Sequence, residues 1–210
     1  MLPWRPASTQ GGQTMPEATL NERKSLLRKG IRETRALLGT AERAEAGRSL
    51  RNLVLGMPEA GMAGTVAAYM SFGTEPETSG LVFALWKRGT YVLLPVLRPD
   101  NDLDWASYEG PDSLEPGPHG LLQPTERRRG VTAITSADLV VVPALAVDFE
   151  GNRLGRGGGS YDRALARVGP AVPTIALLYD GELVDEVPAG RHDQPVRAVA
   201  QPGRGINKLG

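Results

Sequence analysis

The chain has 210 residues with 24 basic and 24 acidic side chains. The resulting net charge of zero excludes the overall basic footprint usual in a nucleic-acid binder. It contains no cysteine, which removes disulfides, thiolate nucleophiles and cysteine-ligated zinc together. No apolar run approaches the roughly 18–20 residues of a membrane span, and the first residues lack the apolar stretch of a secretory signal. The composition therefore describes one cytoplasmic-type domain acting away from membranes and nucleic acids.

Residues 1–16 are rich in Gly, Pro, Gln, Ser and Thr and read as a flexible extension, because they bury too little to offset their ordering entropy. A single domain is expected over residues 17–200, with a flexible tail at 201–210. Leu27, Ile31, Thr34 and Leu38 fall at i, i+4, i+7 and i+11 and predict a first helix. Gly39 stands where its C-terminal cap belongs, and Thr40 is placed to cap a second helix reaching Leu55 and stopping at Gly56. Between Leu20 and Gly56 there are nine basic and four acidic side chains, the one strongly cationic stretch.

Further on, strand-like and helix-like segments alternate. Thr65–Met70 reads as a buried strand, Thr78–Arg88 as a helix, and Tyr91–Leu97 as a second buried strand with Pro95 marking an end or bulge. Arg98–Gly130 is dominated by loop residues apart from a strand-like piece at Asp104–Tyr108. Leu139–Val142 and Thr174–Leu178 read as strands separated by a helix at Tyr161–Val168, and Val196–Ala200 as an edge strand. This alternation predicts an α/β fold, with a mainly parallel sheet covered on both faces.

The stretch GNRLGRGGGSYDR, residues 151–163, follows the strand-like run VVVPALAVD. Five glycines in nine positions permit backbone conformations with positive φ and close approach of N–H groups to a ligand. A helix beginning near Ser160 and Tyr161 points its N-terminus at the same space, and Arg153 and Arg156 add full charges. The expectation is a cradle for phosphates. No lysine follows these glycines as the Walker A loop requires. Gly155 and Gly157 begin a dinucleotide pattern that meets Ser160 instead of glycine, and Asp162 breaks the nucleophile-elbow pattern.

The run PALAVD-x-x-GNRLGRGGGSYDR resembles the signature of the 5-formyltetrahydrofolate cyclo-ligase family. Lys24 and Arg28, the segment YMSFGTEPET at 69–78, Gln123–Pro124 and His192–Asp193-x-Pro195 extend the likeness over roughly residues 22–195. The resemblance implies a three-layer α/β/α fold like that of sugar-phosphate isomerases and CoA transferases. It also implies a monomer that uses ATP and Mg²⁺ to turn a reduced folate, 5-formyltetrahydrofolate, into 5,10-methenyltetrahydrofolate. By that resemblance Lys24, Arg28, Arg153, Leu154, Gly155, Arg156, Gly157, Gly158, Gly159, Ser160 and Tyr161 contact the nucleotide. Met70 and Glu75, with Arg156 through Ser160, contact the folate; Arg156 lies nearest both and is the catalytic candidate. Asp162 and Asp193 are the implied Mg²⁺ ligands.

Two departures stand out. The family carries two adjacent aromatic residues before the aspartate, and the first is Ser160 here, a residue suited to capping a helix that starts at Tyr161. Gly158 replaces a lysine that some members carry. His119 and His192 lack metal-ligand spacing and read as loop residues. Two other readings remain open at this point: a relative that binds nucleotide or folate without efficient turnover, and an ATP-independent enzyme of the isomerase type.

Overall fold

A computed structural model describes residues 19–209. The expected extension at 1–16 lies outside the described residues. In chain order the elements are α1 (Leu20–Leu37), α2 (Thr40–Leu55), α3 (Pro58–Met62), β1 (Thr65–Ala67), α4 (Ser79–Lys87), β2 (Tyr91–Leu97), β3 (Leu103–Ser107), β4 (Leu114–Pro116) and β5 (Leu122–Pro124). There follow β6 (Leu139–Pro143), β7 (Ala146–Asp148), β8 (Arg153–Leu154), α5 (Ser160–Leu165), β9 (Thr174–Leu177), β10 (Leu183–Val184), β11 (Ala198–Gln201) and β12 (Gly205–Lys208).

Seven strands form the central sheet in the order β12-β11-β9-β6-β1-β2-β3. The inner pairs are parallel, and only β3 and β12 at the edges run antiparallel to their neighbours. Successive residues of β6 explain why both faces must be covered. Leu139 and Val141 enter one core with Leu50 and Val54 of α2 and Leu81 and Leu85 of α4. Val140 and Val142 enter the other, with Trp105, Ile134 and Leu165. Burial of each such side chain contributes roughly 1.5–3 kcal/mol, so an apolar run with no polar alternation is stable only between two layers.

Most expected elements are present, with informative differences. Gly39 caps the start of α2 rather than the end of α1; its N–H donates to Glu42 Oε2 at 2.7 Å. Thr40 is therefore the first residue of α2, not its cap. Pro95 neither ends nor bulges β2. Val92 accepts from Tyr108 N–H in the direction of β3, so Pro95, three residues on, faces the side of β1, where β1 has already finished at Ala67. No partner there needs the missing N–H.

Two expectations are corrected. Residues 201–210 were expected as a flexible tail, but Gly205–Lys208 pairs antiparallel with β11, from Ala198↔Lys208 to Gln201↔Gly205. Val196–Ala200 is consequently an inner strand rather than an edge. The run VVVPALAVD is not one strand: β6 stops at Pro143, and β7 leaves the main sheet to pair with β8 and β10. The 98–130 region also contains β3 and the β4–β5 hairpin.

Candidate active site

The chain leaves β1 toward β2 on one side of the sheet, while β6 lies on the other. A reversal of this kind opens a crevice beyond the carboxyl ends of the strands. The segment after β1 forms one wall of that crevice, and the loop between β8 and α5 forms the other. Between them is a cleft of about 910 Å³. Every residue named above as a candidate lines it: Lys24, Arg28, Met70, Glu75, the continuous run Arg153–Asp162, and Asp193.

In the glycine-rich wall Gly157 and Gly159 have φ of +111° and +68°. Only glycine adopts the first without strain. The Arg28 guanidinium lies in ordinary contact with this glycine, about 3.5 Å from where a Cβ would stand. Arg28 Nε donates to Gly155 O at 2.9 Å, so α1 is laid directly on the loop. From the other side Arg163 Nη2 donates to Gly158 O at 3.1 Å and to Asn101 O at 2.5 Å. Gly159, in the left-handed conformation, occupies the cap position of α5, and Ser160 makes no capping hydrogen bond. The capping role expected for Ser160 is thus not the one it plays.

The two loop arginines behave differently. Arg153 was expected to add free charge to the cradle, yet its side chain is 2% exposed and turns under the loop. Its Nη2 donates to Asp162 Oδ1 at 2.7 Å and its Nη1 to Pro143 O at 3.3 Å. Arg156 is half exposed and spans the cleft, donating from Nε to Glu75 Oε1 and from Nη2 to Phe72 O, both at 2.9 Å. Its guanidinium stacks over the Phe72 ring, 5.1 Å from the centroid. Leu154 packs its side chain in a small cluster with Leu145, Val187, Leu27 and Ile31.

Lys24 Nζ meets Asp193 Oδ2 at 2.5 Å, which joins the first and last pieces of the expected site. Burial works against the Asp193 carboxylate, but the Lys24 ammonium and the Gly190 N–H outweigh it and hold its pKa below the ordinary value. Arg28 has the opposite balance. Burial, followed by the charge of Arg32, disfavours its cation, an environment that an anion would relieve.

Asp162 Oδ1 accepts from Arg153 and from the Gln194 N–H, and Asp193 Oδ2 from Lys24 and the Gly190 N–H. Among the described residues the second oxygen of each carboxylate has no protein donor. No group of three or more His, Cys, Asp or Glu side chains able to hold a metal is present among them either. Two carboxylates with one open oxygen each fit Mg²⁺, which keeps waters and phosphate oxygens about it, and do not fit an all-protein cage.

Sequence reasoning gave no role to several parts of this site. Phe72 and Arg163 stood inside recognised motifs without a stated function. Trp105 of β3 is fully buried in the other core and does not line the cleft. Arg35 and Glu182 form a buried ion pair at 2.7 Å, and no local pattern announces a contact 147 residues apart.

A mainly parallel sheet, with a glycine-rich loop and facing basic helix at the carboxyl ends of its central strands, is the layout of an α/β enzyme. The model of the 5-formyltetrahydrofolate cyclo-ligase family matches residues 20–202. The 5-formyltetrahydrofolate cyclo-ligase of Mycolicibacterium smegmatis is 39% identical over 191 residues, covering 89% of this chain and 97% of that one. The Escherichia coli K12 protein of the same name is 32% identical over 177 residues, covering 83% and 97%. The solved 5,10-methenyltetrahydrofolate synthetase of Aquifex aeolicus superposes with a TM-score of 0.77 at 27% identity, over 89% of this chain and 92% of that one. The chain belongs to the 5-formyltetrahydrofolate cyclo-ligase family and is an enzyme of the ligase type. No described helix is long and apolar enough to cross a membrane.

Proposed function

We propose that the protein converts 5-formyltetrahydrofolate to 5,10-methenyltetrahydrofolate with ATP and Mg²⁺, releasing ADP and phosphate. The observation that carries this reading is the Arg156 bridge. One guanidinium, rooted in the glycine-rich wall, touches Glu75 and Phe72 in the wall opposite. Family membership supplies the substrate class, and the cleft supplies a place where two ligands meet at one charge.

The chemistry explains why such a site suffices without a protein nucleophile. A formyl oxygen is a poor leaving group. Its phosphorylation by ATP makes it a good one, after which N10 of the folate attacks the activated carbon, phosphate departs and N10 gives up its proton. The residues have to hold charge and geometry through these events. Lys24, Arg28 and the loop N–H groups are placed to grip the polyphosphate. Arg156 is placed to stabilise charge on the phosphoryl group in transit, and Glu75 to accept N–H groups of the pterin. Asp162 and Asp193 are the residues to hold Mg²⁺, which when bound neutralises phosphate charge. The reading takes the protein to be a monomer acting in the cytoplasm on small molecules.

The test is direct. Protein mixed with 5-formyltetrahydrofolate, ATP and Mg²⁺ develops the absorbance band of the methenyl product, and omission of either ATP or Mg²⁺ abolishes it. Binding of both ligands with no band would identify a binding protein instead, and a band formed without ATP would contradict the phosphorylation route.

A further inference from the structure

Tyr69 follows β1 at the carboxyl end of the sheet and lines the cleft while being only 3% exposed. Its position is fixed: its carbonyl accepts from Thr78 Oγ1 at 2.6 Å and its ring is part of the core beneath the helices. Yet its hydroxyl is buried with no hydrogen-bond partner among the described residues. Leaving such a group unpaired costs stability, so a structural role would call for a partner inside the protein. Tyr161, also in the cleft lining, has a hydroxyl in the same condition.

The surroundings indicate what these hydroxyls meet. Tyr69 and Tyr161 line the same cleft as Glu75, and burial, followed by the charge of Glu75, pushes the Tyr69 phenol above its ordinary range, so it is a neutral donor. The Glu75 side chain is held in place at one oxygen by Arg156 and at the other by the Phe72 N–H. The cleft lining therefore combines a fixed carboxylate with buried, unpartnered O–H donors. A flat heterocycle with an amine, a ring N–H and a carbonyl in a row along one edge is its complement, and the pyrimidine edge of a reduced pterin has that order.

We infer that Tyr69 is a substrate-reading residue, its hydroxyl donating to the ring carbonyl of the folate while Glu75 takes the adjacent N–H groups. The assignment rests on the proposed reading of the cleft as a folate site. It gives a burial that is unfavourable in the free protein a purpose in the bound one.

The isosteric variant Tyr69→Phe tests it by calorimetric titration and thermal melting. The Kd for 5-formyltetrahydrofolate rises roughly tenfold, the Kd for ATP is unchanged, and the ligand-free melting temperature stays level or rises. Tyr91→Phe is the control, since Tyr91 also carries a buried, unpartnered hydroxyl but lies outside the cleft; it leaves both affinities unchanged. Unchanged folate affinity in Tyr69→Phe, or an equal loss for ATP, overturns the assignment. A wild type without affinity for 5-formyltetrahydrofolate overturns the reading of the cleft itself, and that result is visible before any variant is made.

Discussion

Arg153 and Arg156 stand three residues apart and commit their charges to different tasks. Arg153 is buried and neutralised by Asp162, so it shapes the loop from beneath. Arg156 is half exposed and its partners line the cleft, so it remains available to a ligand. Arg156→Ala should remove a charge-assisted contact worth about 1.5–3 kcal/mol to bound ATP, a tenfold or greater rise in Kd. Its melting temperature should hardly move, because exposed ion pairs contribute little to stability. Calorimetry with ATP decides, and an unchanged Kd would remove Arg156 from the site. Asp162→Asn should have both effects. It leaves Arg153 short of its counter-charge, at a cost of about 1–3 kcal/mol, and it raises the Mg²⁺ concentration needed for half-maximal turnover. A lowered melting temperature with an unaltered Mg²⁺ curve would make Asp162 the counter-ion of Arg153 and nothing more.

Helix α1 brings Lys24 and Arg28 to the site, yet Arg35 is its one fully buried residue. Leu26 and Leu37 are exposed on it, and its apolar contacts are the partly buried Leu27 and Ile31. Polar ties do the rest: Lys24 to Asp193, Arg28 to Gly155 and Arg35 to Glu182, with a further hydrogen bond from Arg35 Nη2 to Ala144 O at 2.8 Å. The Arg35–Glu182 pair is bidentate and shielded from water, so loss of one member leaves a buried charge alone. Glu182→Ala should therefore destabilise the fold by about 3–5 kcal/mol, whereas replacing both members by apolar residues should restore much of the loss. Denaturant unfolding of the three proteins checks this. A single variant as stable as wild type would mean that α1 is anchored elsewhere.

At the scale of the molecule, the site arises where the strand order reverses between the parallel strands β1 and β6, and the chain's most informative segments lie beside that reversal. The part legible in the sequence was the part encoded locally. Tyr91–Leu97 emerged with its predicted bounds because a continuous apolar run is flanked by turn and charged residues. The glycine-rich wall was legible because glycine reports directly on backbone conformation. What escaped notice was encoded by distant partners. The β12 strand, GINK, has no apolar alternation of its own and exists because β11 offers an edge. The inward turn of Arg153 depends on Asp162 and Pro143, and the burial of Arg35 on Glu182.

In the proposed reaction the cleft phosphorylates the formyl oxygen and so makes it a leaving group. The most direct measurement follows that oxygen. With 5-formyltetrahydrofolate carrying heavy oxygen in its formyl group, mass spectrometry of the released phosphate should find one heavy oxygen for each methenyl group formed. Heavy oxygen appearing in water, with the phosphate unlabelled, would contradict phosphorylation of the formyl oxygen.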